Sequence, residues 1–111
     1  MRVLCRLRPP SKKASAGPVA EASGFMSSGI ARSLTLKGAA ASGGARMFEF
    51  DRVFGWETPT EQVFDELQPL AKAVADGSRA TVLAYGQTGS GKTYTMLGMQ
   101  RLAVSQVRRA Q

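Results

Sequence analysis

The sequence has no histidine and a single cysteine, Cys5. Those two counts exclude a zinc site built from cysteine and histidine ligands and an internal disulfide. A lone thiol fits a reducing compartment better than an oxidising one. No apolar run approaches the roughly 20 residues of a membrane-spanning helix, and MRVLCRLRPP has too short an apolar stretch for a signal peptide. No coiled-coil heptads appear. Acidic residues are scarce, 8 against 15 lysines and arginines, which leaves a formal net charge of +7. That balance favours anionic partners (nucleotides, nucleic acid, acidic protein surfaces or anionic lipid) without choosing among them. The 111 residues suffice for one small domain. A domain of this size buries only about two-thirds of its unfolded surface. Any large catalytic apparatus is therefore expected to be incomplete or completed by a partner.

What is present falls into four stretches. In RVLCRLRPP, Val3, Cys5 and Leu7 alternate with Leu4, Arg6 and Arg8, which predicts a short strand. Pro9 and Pro10 close it, since they neither extend a helix nor donate to a ladder. Ser11 to Arg46 is rich in alanine, serine and glycine. Only RSLTLKG reads as a strand there, with Leu34 and Leu36 alternating with Ser33, Thr35 and Lys37. The remainder, residues 11–30 above all, reads as a loose surface loop with no visible chemistry. MFEFDRVFG predicts a third strand, Phe48 and Phe50 alternating with Glu49 and Asp51, broken at Gly55 and Trp56.

A helix should follow in TPTEQVFDELQPLAKAVADG. Thr58 and Glu61 have the spacing of a capping box, with Pro59 at the first helical position. Val63, Phe64, Leu67, Leu70, Ala71 and Val74 form a stripe expected to face the core. Pro69 is expected to kink the helix, and Gly77 to cap its end.

The fourth stretch carries the chemistry. ATVLAY is an uninterrupted apolar run with β-branched residues, as expected of a parallel strand covered on both faces. It leads directly into GQTGSGKT. The next residues, YTMLGMQRLAVSQVRRAQ, are good helix formers interrupted only by Gly98. A glycine loop between strand and helix that matches G-x-x-x-x-G-K-[ST] is a P-loop. Its residues are Gly86, Gln87, Thr88, Gly89, Ser90, Gly91, Lys92 and Thr93. The glycines let successive N–H groups turn inward toward phosphate oxygens. The helix beginning at Gly91-Lys92 aims its positive end at the same place. Lys92 is expected to reach the β- and γ-phosphates as a point charge, and Thr93 to place its hydroxyl on Mg²⁺. The loop alone implies only a nucleotide.

The wording around the loop is more specific. AYGQTGSGKTYTM closely resembles the P-loop of the kinesin motor domain. RVLCRLRPP, FEFDRVFG, TEQVFDEL and the DG ahead of the P-loop strand resemble kinesin words too, and stand in the kinesin order. Together they cover most of residues 2–98, Ser11 to Arg46 matching only loosely. VFDELQPLAKAVADG looks most like the C-terminal-motor, minus-end-directed kinesins. The resemblance implies an α/β, P-loop NTPase, kinesin motor-like fold, present as a partial central sheet with flanking helices. It implies ATP or ADP as the nucleotide, with Arg6 and Pro9 flanking the adenine and Tyr94 stacking near the base. The alternatives are a solvated strand arginine and a core-packed tyrosine. It also implies that the last strand of a full motor lies between the first strand and the P-loop strand. Here the strands at Val3 to Leu7 and Thr81 to Tyr85 would then pair directly or leave open edges.

Two kinesin words do not occur in these 111 residues: N-x-x-S-S-R-S-H and Asp-Leu-Ala-Gly, the switches that hold the water and sense the γ-phosphate. RLAVSQVRRAQ does not match the family's sequence downstream of the P-loop. The expectation is a partial motor domain over 1–111, with a loose excursion at 11–46 and a strand–helix–strand–P-loop–helix unit at 48–98. Two functional classes remain open. One is part of a kinesin-type, microtubule-dependent ATPase, cytoplasmic and cytoskeletal, meeting microtubules through the rest of the motor and inactive in these residues alone. The other is a non-enzymatic nucleotide- or tubulin-binding remnant. Nucleic acid is disfavoured, because the charges are scattered and no aromatic-basic platform is visible. No membrane partner and no oligomeric state are implied.

Overall fold

The computed structural model describes residues 1–9, 19–25, 31–37, 45–87 and 89–111. They form two compact units, Met1–Glu57 and Thr58–Gln111.

The first unit is a four-stranded sheet. Its strands are β1 (Leu4–Arg6), β2 (Val19–Phe25), β3 (Ala31–Lys37) and β4 (Ala45–Phe54), in the order β1-β4-β3-β2. β2 pairs antiparallel with β3, and β3 antiparallel with β4. β1 lies parallel to β4, Leu4 opposite Arg52 and Arg6 opposite Phe54. The Leu7 N–H donates to the Phe54 carbonyl at 3.0 Å, and the Asp51 N–H to the Val3 carbonyl at 2.9 Å. The Val3 N–H in turn donates to Asp51 Oδ2 at 2.6 Å.

Ala31, Leu34 and Val53 are the buried centre of the sheet, with Cys5, Leu7, Leu36 and Phe50 packed against them. Cys5, Leu7, Leu34 and Leu36 keep the period of two that puts alternate residues on one face. Phe50 and Val53 break it. Between Ala31 and Ser33 the register with β4 shifts, from Val53 to Glu49, and such an irregularity re-aims the side chains beyond it. Phe54 is also buried, and the Arg52 guanidinium lies over its ring, 4.7 Å from the centroid.

The strands expected at Val3 to Leu7, around Leu34–Leu36 and at Phe48–Phe50 are all present. Residues 11–30 were expected to be loop, yet Val19–Phe25 is a strand. VAEASGF is rich in alanine and glycine, which strands disfavour, and its pairing with β3 supplies what its composition does not. The rest of the expected loose excursion, residues 11–18, 26–30 and 38–44, lies outside the described residues.

The second unit contains α1 (Thr60–Asp65), α2 (Gln68–Ala75) and α3 (Lys92–Ala110). One kinked helix was expected where α1 and α2 stand. The Glu66 N–H bonds the Val63 carbonyl at 3.3 Å and the Leu67 N–H the Phe64 carbonyl at 2.8 Å, tight turns that end α1. Pro69 then falls in the first turn of α2, where its missing N–H costs nothing. The break resets the helical phase. Val63, Phe64 and Ala71 are buried, but Leu70 and Val74 of the expected core stripe are exposed.

The N-cap of α1 is Pro59, without a side-chain hydrogen bond. The helix thus starts one residue beyond the expected Thr58 capping box. At the far end the expectation holds. Gly77 has φ +98°, its N–H donates to the Val74 carbonyl at 3.0 Å, and the Ser78 N–H to the Ala73 carbonyl at 2.9 Å. This is a Schellman motif.

The largest correction concerns ATVLAY. Residues 78–87 have no regular secondary structure, and Val82, Leu83 and Tyr85 are exposed, Leu83 to 88 %. A strand exists only through a neighbour that takes up its N–H and C=O groups. No strand among the described residues pairs with this segment. The unit expected at 48–98 is accordingly divided. Its strand at Phe48 belongs to the first sheet, and the P-loop helix packs with α1 and α2.

Candidate functional site

The glycine loop ends at the N-terminus of α3, and its sequence explains its path. A Cβ on Gly86 would lie 2.5 Å from Ser90 Oγ and 3.2 Å from Ser90 Cβ. Glycine there lets the loop fold back against Ser90, where a larger residue would make the Ser90 hydroxyl turn aside. The Ser90 N–H donates to the Gln87 carbonyl at 3.0 Å, closing the turn. Gly91 adopts φ +97° with open space where a Cβ would be. What demands glycine there is the left-handed backbone and not crowding. Gly89 is left-handed as well, with φ +79°. Thr88 lies outside the described residues.

Gly91 is the N-cap of α3. Its carbonyl accepts the first helical bond, from the Thr95 N–H at 3.0 Å. A helix leaves its first four N–H groups without intrahelical partners. Here no side chain caps them, and the first turn holds no acidic residue. The positive end of a 19-residue helix is therefore not neutralised by the helix's own carboxylates. Such an end favours an anion.

Lys92, half-buried, begins the helix. Its Cγ lies 3.6 Å from the position of a Gly86 Cβ, so its stem runs along the loop. Thr93 is exposed beside it. Tyr94 is 70 % exposed. Gly86, Gln87, Gly89, Ser90, Gly91, Lys92 and Thr93 are thus gathered around one helix end. Arg6 and Pro9 belong to the other unit. Arg6 is half-buried on β1, and Pro9 is exposed just past it.

The donor set suits a phosphate chain and its magnesium. Among the described residues no three acidic, cysteine or histidine side chains converge on one point. Mg²⁺ needs few protein ligands when phosphates supply the rest, and the Thr93 hydroxyl is available to it. Away from the loop, burial pushes the Cys5 thiol pKa up, as befits a cysteine that packs as a small hydrophobe. No helix among the described residues is long and apolar enough to cross a membrane.

Two features were missed in the sequence. Gly98 was read as an interruption of the helix, but a Cβ there would lie 2.6 Å from Thr60 Cγ2, so it marks a close approach of α3 to α1. The arginines of the last half of α3 share a face, and the signal was the absence of any aspartate or glutamate after Asp76.

Comparison with known proteins points to one family. The family described as kinesin motor domain matches residues 6–108. The kinesin-like protein KIN-14Q of Oryza sativa subsp. japonica is 40% identical over 102 residues, which is 88% of this chain and 10% of that protein. Kinesin-like protein 2 of Schizosaccharomyces pombe is 40% identical over 114 residues, 97% of this chain and 14% of that protein. Among solved structures, the motor domain of the kinesin-like protein KAR3 of Saccharomyces cerevisiae superposes with a TM-score of 0.83 at 31% identity. The match covers 97% of this chain and 35% of that one. A mutant kinesin motor ATPase gives a TM-score of 0.84 at 32% identity, over 97% and 37% of the two chains. The chain thus spans a small part of the curated relatives it matches and about a third of the solved motor domains.

Proposed function

The chain belongs to the kinesin motor domain family, and on that premise we propose that these residues are the ATP-binding portion of a kinesin-like microtubule motor. The observation that carries the reading is the start of α3. A left-handed Gly91 opens a helix whose first turn has neither a capping side chain nor a carboxylate, with Lys92 and Thr93 next in line. Backbone N–H groups from Gly89 to Thr93 hold the phosphates. Lys92 brings its ammonium to the β- and γ-phosphate oxygens. The Thr93 hydroxyl would hold Mg²⁺, which would offset charge on the phosphates. Tyr94, exposed one residue on, offers a ring to the adenine; Arg6 and Pro9 are assigned to the base by the kinesin resemblance alone. Gln87, Thr88 and Ser90 complete the loop.

In the parent motor, ATP hydrolysis drives movement along microtubules, which places the protein on the cytoskeleton of the cytoplasm. Similarity to KIN-14 proteins supports a place among C-terminal motors. These 111 residues by themselves bind Mg-nucleotide only weakly and do not turn it over. Phosphoryl transfer rests on positioning and electrostatic stabilisation, and the two words that position the water do not occur in them.

Equilibrium binding of labelled Mg-ATP tests the assignment. Lys92→Ala is expected to abolish binding. Equal binding with and without the lysine overturns the reading, and microtubule-stimulated phosphate release by the 111-residue chain overturns its inactive part.

A further inference from the structure

α3 contains Lys92, Arg101, Arg108 and Arg109 and no aspartate or glutamate. Lys92 belongs to the loop. The three arginines do not, and they lie toward the opposite end of the helix. Arg101, Arg108 and Arg109, with Gln100, Val104 and Ser105, form one open patch of α3. Arg101, Val104, Ser105 and Arg108 recur at i, i+3, i+4 and i+7, so they share one helix face, and all four are exposed. Among the described residues, none of the three guanidinium groups has an ion-pair or hydrogen-bond partner.

The simplest account is that Arg108 and Arg109, in the last turn, complement the negative end of the helix. That leaves Arg101 unexplained, since it stands well before that turn. It also leaves unexplained why no carboxylate stands three or four residues from any of them, where a solvated helix face gains stability from opposite charges.

We propose that this face docks an acidic peptide, an extended segment with carboxylates on alternate residues. The charge is complementary, and the planar guanidinium fork pairs bidentately with a carboxylate. Arg101 and Arg108 are separated by a rise of about 10 Å along the helix, between the roughly 7 Å and 13 Å that separate carboxylates two and four residues apart on one face of an extended chain, a difference that the long arginine side chains take up. Val104 provides apolar ground between them, and Gln100 and Ser105 provide hydrogen-bonding groups for the peptide backbone. Single-stranded nucleic acid suits the face less well, because no aromatic side chain lines it for bases to stack on. The proposal does not depend on the nucleotide site.

The test is fluorescence anisotropy with a labelled Glu-Gly-Glu-Gly-Glu peptide and the whole chain at low ionic strength. Saturable binding is expected, weakened by salt. The triple substitution Arg101→Gln, Arg108→Gln and Arg109→Gln is expected to weaken it by about tenfold or more. Ser105→Glu sets a carboxylate among the arginines while keeping all three, and is expected to weaken it as well. Lys72→Gln, on α2, and saturating Mg-ATP are expected to leave binding unchanged. If neither the triple variant nor Ser105→Glu binds more weakly, or Lys72→Gln weakens binding as much as they do, the peptide is drawn by net charge alone and the proposal fails. Displacement by Mg-ATP, or tighter binding of an oligothymidylate of equal charge through the same arginines, overturns it too.

Discussion

At the scale of single residues, one methyl group decides what Gly98 can become. Helix propensity favours alanine over glycine by about 1 kcal/mol. A Cβ at Gly98, however, would lie 2.6 Å from Thr60 Cγ2, and threonine is stiff about χ1. Overpacking of this kind costs about 1–3 kcal/mol, so Gly98→Ala is expected to destabilise the chain by about 1 kcal/mol net. Thr60→Ser deletes the clashing methyl and should turn the same substitution stabilising. Urea denaturation of the four chains in the cycle measures the coupling, and strict additivity would show that the two positions do not touch. Cys5 is a second case. Its thiol pKa is raised by burial, and the thiolate is the reactive form. Iodoacetamide should therefore modify it much more slowly in the folded chain than in urea at the same mildly alkaline pH. Equal rates would mean that β1 is not docked. The linked stability is fully present below the ordinary thiol pKa and is lost as pH rises through the raised value.

At the scale of elements, the best-read feature is the end of α2. Gly77 sits at φ +98° with nothing within 4 Å of where a Cβ would stand. Gly77→Ala should therefore cost about 1–2 kcal/mol through backbone conformation alone, and Gly77→Asn less. A shift in the urea midpoint checks both, and no shift for alanine would mean that the Schellman turn is absent in solution. Gly77 could be read from sequence because cap chemistry is local. The P-loop glycines were legible for the same reason: Gly89 and Gly91 encode a left-handed backbone that few other residues adopt, and Gly86 a close approach to Ser90. β2 and ATVLAY were misread in opposite directions, and pairing explains both. Val19–Phe25 has poor strand composition and a partner in β3. Thr81 to Tyr85 has good strand composition and no partner among the described residues. Periodicity reports which face a segment could bury, whereas a strand also needs a neighbour, often one far away in the sequence. The break at Glu66–Leu67 was likewise invisible, because Pro69 reads equally well as a kink within one helix or as the opening of a second.

At the scale of the whole molecule, the division at Glu57–Thr58 could not be read from any single motif, because it depends on which elements pack together. Within the first unit, β2, β3 and β4 pair as neighbours in the chain. β1 instead pairs with β4 across the whole length of the unit, and the bond from Val3 to Asp51 spans 48 residues. Closing a long loop costs more entropy than closing a short one, and distant pairings are the slow ones. During refolding, pulsed hydrogen exchange should find the β3 and β4 amides bonded to each other protected first. The Leu7 and Asp51 N–H groups, which bond across the β1–β4 seam, should follow. Simultaneous protection would rule out this order. On a ribosome the same geometry inverts birth and assembly. Leu4–Arg6 emerges before the other strands of its sheet, yet it has nowhere to dock until Arg52, Val53 and Phe54 have been made, so the strand of this sheet that is made first is the last to find its place.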